Sequence, residues 1–246
     1  VNGAGFEESL LDVIESAAGD RVPVFEAIST VETIALDGGS HDEHGDDAHD
    51  GEDQHNDEGG HIDEHYQQGV DPHFFTDPAR VALAADGIVA FLIANVDGVD
   101  AIALEANAAS YIERLESLDA EVEALLVAIP SDRRVLVTNH EVFGYFADRY
   151  GFEVAGTIIP SGSTADGANA QALVELAELI EHEGVPAIFT DTSSSGELAS
   201  TLADEVGDIA VVELFSESLG SDDSEGATYL DMVRTNAERI ADALSG

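Results

Sequence analysis

Between Ala101 and Ile129 apolar side chains return at spacings of mostly three and four: Leu104, Tyr111, Leu115, Leu118, Val122, Leu125 and Ile129. That period puts all of them on one face of a single α-helix. At 1.5 Å per residue such a helix is roughly 40 Å long, more than one small domain needs and enough to run along two. Pro130 ends it, and the apolar run from Arg134 to Thr138 then starts as a buried strand. The chain is therefore expected to divide into a first lobe over residues 1–100, a joining helix over 101–130 and a second lobe over 131–246. At 44% hydrophobic residues it has the material for both cores.

Further short apolar runs, Val22 to Ile28, Ala187 to Thr190 and Ile209 to Leu214, alternate with amphipathic stretches. This alternation predicts an α/β fold: two lobes of largely parallel sheet flanked by helices, joined by one long rigid helix. The pattern breaks over residues 38–69, which hold almost nothing apolar but much Asp, Glu, Gly and His. Such a segment buries too little surface to offset its ordering entropy, and a structureless stretch of that length inside a domain usually has a task of its own.

The charge balance removes whole classes of function. Asp and Glu number 52 against 8 basic residues, all Arg, for a formal net charge of -44. A surface so acidic repels nucleic acid and anionic lipid, since any basic patch would have to come from a few scattered arginines. Self-repulsion on this scale is relieved when molar salt shrinks the Debye length to about 3 Å, so the composition reads as adaptation to a high-salt environment. Cysteine is absent, which excludes disulfides, thiolate metal sites and a cysteine nucleophile. No apolar run is expected to reach the roughly 18 residues of a membrane span. Val1 to Phe6 lack the charged start of a signal peptide, and the chain opens as though inside a domain, so an N-terminal portion is expected to precede it.

Seven of the nine histidines lie between His41 and His73. Six of them, His41, His44, His49, His55, His61 and His65, are interleaved with carboxylates in the apolar-poor segment, the compositional signature of loose metal binding. The seventh, His73, sits in Asp71-Pro72-His73-Phe74-Phe75-Thr76-Asp77-Pro78, where Asp77 and Pro78 read as the N-cap and first residue of a helix. A rigid turn before a helix can aim a ligand. His140 follows a buried strand in Asn139-His140-Glu141-Val142-Phe143-Gly144-Tyr145-Phe146, and Glu217 follows another in Phe215-Ser216-Glu217-Ser218-Leu219. Side chains at the carboxyl ends of strands in an open α/β sheet face the crevice where ligands bind. Taken alone, His140 fits a hydrogen-bonded structural role equally well.

At these three motifs the chain resembles the metal-specific substrate-binding proteins of ABC importers for zinc and manganese, over nearly its whole length. The family pattern Asp-Pro-His-x-aromatic-x-x-Pro falls at Asp71 to Pro78, and the His or Glu that precedes Phe-Gly-Tyr-Phe falls at His140. The helix from Ala101 matches the helix joining the family's lobes, and Tyr229 to Asn236 matches a characteristic C-terminal helix. The resemblance implies His73 and His140 as metal ligands and puts Glu217 where the family usually has Asp. Asp191, in Phe189-Thr190-Asp191, stands where the family has Phe-x-Glu and is assigned a supporting role behind the ligands. A further ligand, a histidine ahead of Val1, is also implied. Two or three imidazoles and a carboxylate suit four-coordinate Zn2+, with Mn2+ the chief rival. Proton competition for such ligands is expected near pH 6.5. The resemblance further implies an ABC permease as partner, a monomer at the extracellular face of the membrane, and a lipid anchor as its sole membrane attachment.

Three other readings fit less well. A zinc hydrolase would use His140-Glu141 as ligand and base, but the chain has no His-Glu-x-x-His, and a carrier fills its metal positions with protein ligands. Gly3-Ala4-Gly5 lacks the third glycine of a dinucleotide fingerprint, which would fall at Glu8. A surface metal-binding protein or adhesin without transport shares the resemblance and is separated from a carrier only by a neighbouring permease.

Overall fold

The computed structural model describes residues 1–7, 9–19, 22–36, 69–159, 170–207 and 209–245. The chain opens with a turn and α1 (Ser9–Ala18), followed by a 3-10 turn at Ala27–Thr30 and another at Phe74–Thr76. Two long helices, α2 (Pro78–Asn95) and α3 (Ala101–Leu126), then pack along one another. The second half runs β1 (Val135–Thr138), α4 (Gly144–Tyr150), β2 (Glu153–Thr157), α5 (Ala170–Glu183), β3 (Ala187–Asp191), α6 (Glu197–Val206), β4 (Ala210–Leu214) and α7 (Tyr229–Leu244). This is the α/β architecture with parallel strands that the alternation predicts.

Local chemistry sets the helix boundaries. Asp77 caps α2 by accepting from Ala79 N–H at 2.8 Å, with Pro78 in the first turn, and Asp100 caps α3 by accepting from Ala103 N–H at 3.1 Å. Gly151, at φ 69°, supplies the left-handed residue that ends α4 and turns the chain into β2. The joining helix stops at Leu126, short of the expected residue 130, because Val127 to Ile129 form the turn that leads into Pro130.

All four strands run parallel in the order β2-β1-β3-β4. Alternation along the strands feeds two cores. Leu136, Ala187 and Phe189 face a cluster built with Leu115, Leu118, Val122 and Leu126 of α3 and with Val233 and Ile240 of α7. Val137 and Ile188 point the other way, into Leu176 and Ile180 of α5 and Leu202 of α6. β3, central and buried along its full length, lies beside β1 where the strand order reverses, so a crevice opens at the carboxyl ends of β1 and β3.

The joining helix belongs to both halves. Its N-terminal part packs on α2 and its C-terminal part fills the sheet-side core. Asp119, buried in α3, is held by Arg149 Nε at 3.0 Å and by the Tyr150 hydroxyl at 2.9 Å, both from the end of α4. A third cluster, Ala27, Ile28, Phe74 and Ala84, is completed by Tyr145, a residue of α4 with no exposed surface.

Two expectations are corrected. Val22 to Ile28 is not a strand: it bonds to the opening residues through Val1 N to Phe25 O at 3.0 Å, Ala27 N to Val1 O at 2.9 Å and Ile28 N to Asn2 O at 2.9 Å, but Ala27 already enters a 3-10 turn. Among the described residues the first lobe's strand pairing otherwise amounts to one antiparallel bridge, Ala35 to Val70. Second, α2 is 18 residues long with mean hydropathy 1.4, so by length and composition one helix does meet the span criterion despite Arg80 and Asp86. It packs against α3 and the Ala27–Thr30 turn and is ion-paired at its start through Arg80 to Asp77 and Asp148. Of the apolar-poor stretch, His41, His44, His49, His55, His61 and His65 lie outside the described residues.

Candidate metal centre

His73, His140 and Glu217 meet at the crevice. One ligand atom from each lies within 4.8 Å of the others, a spacing that a single ion can bridge. The three arrive from segments far apart in sequence: the turn before α2, the loop after β1 and the loop after β4.

His73 is aimed by its own turn. It is 1% exposed, and Asp71 accepts both its backbone N–H at 2.8 Å and its ring Nδ1 at 2.7 Å. With Nδ1 bound to a carboxylate, Nε2 is left to face the crevice as the lone-pair nitrogen, the arrangement typical of a metal-binding imidazole. Thr76 Oγ1 donates to the His73 carbonyl at 3.0 Å, and Asn2 Nδ2 donates to Pro72 O at 2.9 Å. Phe6 and Phe75 meet the His73 ring edge-on, with centroids 5.9 Å away in each case, and screen it with apolar surface.

His140 has no exposed surface, and neither ring nitrogen has a hydrogen-bond partner. Its Nε2 lies 3.1 Å from Glu217 Oε1, close enough for an ion pair but out of line for a hydrogen bond. A buried imidazole without partners is costly unless something else engages it. Its ring centroid is 5.6 Å from that of His73. Burial, then repulsion from His73, lowers the His140 pKa from 6.5 to about 4, opposed by Asp191. It therefore stands neutral at physiological pH, the form that binds metal.

The sign of the resulting pH effect follows. A base whose pKa falls on folding leaves the unfolded chain binding more protons below pH 6.5. The metal-free protein should thus lose stability as pH drops from 6.5 towards 4, by about 3 kcal/mol from this one residue. Urea unfolding of wild type and His140→Gln in molar salt at pH 7 and pH 4 checks it, since the general effect of acid cancels between them. Equal losses in both proteins would refute the assignment. For His140, proton competition is accordingly expected well below the 6.5 inferred from sequence.

Asp191, at the end of β3, is not among the three converging groups. It is 2% exposed and organises the loop that carries Glu217. Its Oδ2 accepts from Ser216 N at 3.1 Å, the Ser216 hydroxyl and Glu217 N at 3.4 Å, while Oδ1 accepts from Ser193 N at 2.6 Å and the Ser193 hydroxyl. Burial pushes the Asp191 pKa up, but the hydrogen bonds from Ser193 and Ser216 outweigh it and hold the carboxylate below its ordinary range. From behind, Asn236 of α7 grips the preceding residue: Oδ1 accepts from Phe215 N at 2.9 Å and Nδ2 donates to Phe215 O at 2.6 Å.

Asp71, Ser216 and Asn236 received no role from sequence. Asp71 had a usable signal, an acid two residues before a histidine with proline between. Asn236 had none, because its partner lies 21 residues away.

This arrangement of histidines and a carboxylate at strand ends has a counterpart among known proteins. The profile of the ZnuA family, described as zinc-uptake complex component A, periplasmic, matches residues 1–243. The chain belongs to this family. Among the ZnuA-related proteins, the zinc-binding protein TroA of Treponema pallidum is 39% identical over 141 residues, covering 55% of this chain and 45% of that protein. The manganese-binding lipoprotein MntA of Halalkalibacterium halodurans is 25% identical over 246 residues, covering 100% of this chain and 71% of that protein. This ZnuA-family chain thus aligns with less than half of one of these relatives and with most of the other. The solved structure of TroA from Treponema pallidum matches with a TM-score of 0.77 at 28% identity, covering 100% of this chain and 79% of that one. The two-lobed α/β fold is therefore shared within the ZnuA family.

Proposed function

We propose that the protein captures a divalent metal ion between its two lobes, outside the cell membrane, and delivers it to the permease of an ABC importer. The observation that carries this reading is the convergence of His73, His140 and Glu217 within 4.8 Å, with both nitrogens of the buried His140 lacking hydrogen-bond partners. In this reading His73 and His140 bind through imidazole nitrogen and Glu217 through its carboxylate. Asp71 fixes the His73 tautomer, and Asp191 holds the Glu217 loop. The lobes are residues 1–100 and 131–246, joined by 101–130. The ion is cargo, and no reaction is assigned to the site.

Zn2+ is the proposed cargo, because two neutral imidazoles and one carboxylate suit zinc's preference for nitrogen-rich four-coordinate sites. Mn2+ is the second reading, supported by the relative named for manganese that aligns over the full chain. The relatives named as lipoproteins and as periplasmic proteins support an extracytoplasmic location and a lipid attachment. Calorimetric titration in molar salt tests the metal: one zinc should bind per chain, at least about 100-fold more tightly than manganese. The reverse order would make the protein a manganese carrier.

A further inference from the structure

His73 precedes the joining helix and its two companions follow it, so parting the lobes draws His73 away from them. The turn that carries His73 is gripped by the second lobe on both sides. The Tyr145 hydroxyl of α4 donates to the carbonyl of Asp71 at 2.7 Å, and the Tyr229 hydroxyl of α7 donates to the carbonyl of Phe75 at 2.8 Å. Asp71 and Phe75 stand two residues before and two residues after His73.

Each grip is built to hold. Tyr145 has no exposed surface, and its hydroxyl also accepts Ile34 N–H at 3.3 Å, tying a second segment of the first lobe to α4. The Arg80 guanidinium lies over its ring, 4.8 Å from the centroid, and reaches Asp148 of α4 at 2.8 Å. Beside Tyr145, Gly144 lets α4 approach so closely that a Cβ there would fall 2.6 Å from Asp71 Oδ2, on the carboxylate that orients the His73 ring. Tyr229 begins α7, whose Asn236 fixes the strand end before Glu217. The two tyrosines therefore link the His73 turn to α4, which follows the His140 loop, and to α7, which braces the strand end before Glu217.

We propose that Tyr145 and Tyr229 form a paired clamp whose hydroxyls hold His73 in register with His140 and Glu217, so that opening the clamp sets the rate at which a bound ion departs. This rests on the metal-capture reading. The tyrosines touch no metal; they are positioning residues and act through the backbone on either side of His73.

The test is stopped-flow zinc kinetics in molar salt, with an excess of chelator for dissociation, on wild type, Tyr145→Phe, Tyr229→Phe and the double variant. Phenylalanine preserves the ring packing and removes only the hydroxyl. Each single variant should release zinc about ten-fold faster and the double variant about a hundred-fold faster. The Tyr229 ring is mostly buried and phenylalanine fills the same space, so Tyr229→Phe should remain folded in urea and keeps the test sound if Tyr145→Phe is unstable. Release within about two-fold of wild type in Tyr229→Phe, or faster release only in variants that have lost unfolding stability in proportion, overturns the clamp. Failure of wild type to bind either zinc or manganese tightly overturns the capture reading itself, and the clamp with it, an outcome distinct from tight binding with unchanged release.

Discussion

Replacing His73 and His140 together by alanine is expected to weaken zinc binding about 10⁴-fold, which calorimetry against a competing chelator will register as loss of the tight site. The magnitude follows from structural zinc sites, whose four ligands together contribute roughly 10–16 kcal/mol, or about 3 kcal/mol for each ligand removed. Urea unfolding of the variant separates loss of the site from loss of the fold, since the His140 ring has no hydrogen-bond partner to lose but the His73 ring is bonded to Asp71. Deleting residues 38–68, which contain the six other clustered histidines, should change the tight affinity by no more than about three-fold, since His73, His140 and Glu217 converge among the described residues alone. If tight binding instead disappears with the deletion and survives the double substitution, metal is held by the histidine-rich segment and the crevice is not the site.

Asp191→Ala is expected to be the most destabilising single change near the crevice, costing about 3–5 kcal/mol in urea unfolding. Alanine would strand the buried backbone and hydroxyl donors of Ser216 and take the acceptor from the exposed Ser193 and from the Glu217 N–H. In protein that remains folded, the Glu217 loop loses its anchor, and zinc affinity should fall about 10–100-fold, as for other residues that orient a metal ligand. Asp191→Asn should lie between, because an amide can still accept on one side but presents a donor to donors on the other. A fully stable alanine variant with unchanged affinity would remove Asp191 from any role in presenting Glu217.

Many of the elements were legible because their signals are local. The period of Leu115, Leu118 and Val122 declares a helix face, and the strand from Val135 is a short apolar run between a proline and a polar loop. The Asp77-Pro78 boundary is a cap written in two adjacent residues. The run from Val22 to Ile28 carries the same apolar signal, yet whether such a run becomes a strand depends on its partner, and Ala27 and Ile28 leave it for a 3-10 turn. Apolar content alone therefore overstated it. At the site, the types and flanks of His73, His140 and Glu217 pointed to metal, but their convergence depends on how β1 and β4 are placed around β3, which no single segment records. The least legible residues were those acting over long separations, Asn236 on Phe215 and Tyr229 on Phe75, the latter bridging 154 positions.

The presence of Tyr145 in the first lobe's core has a consequence for the order of folding. Domains usually fold as units, the N-terminal one first as the chain emerges during synthesis. Here Ala27, Ile28, Phe74 and Ala84 close around a side chain that follows the joining helix and the first strand of the second lobe. Until α4 has been made, that core lacks its largest member. Among the described residues that core therefore closes only once α4 has been made, and a fragment ending at Pro130 should leave a ring-sized gap beside Ile28 and Phe74.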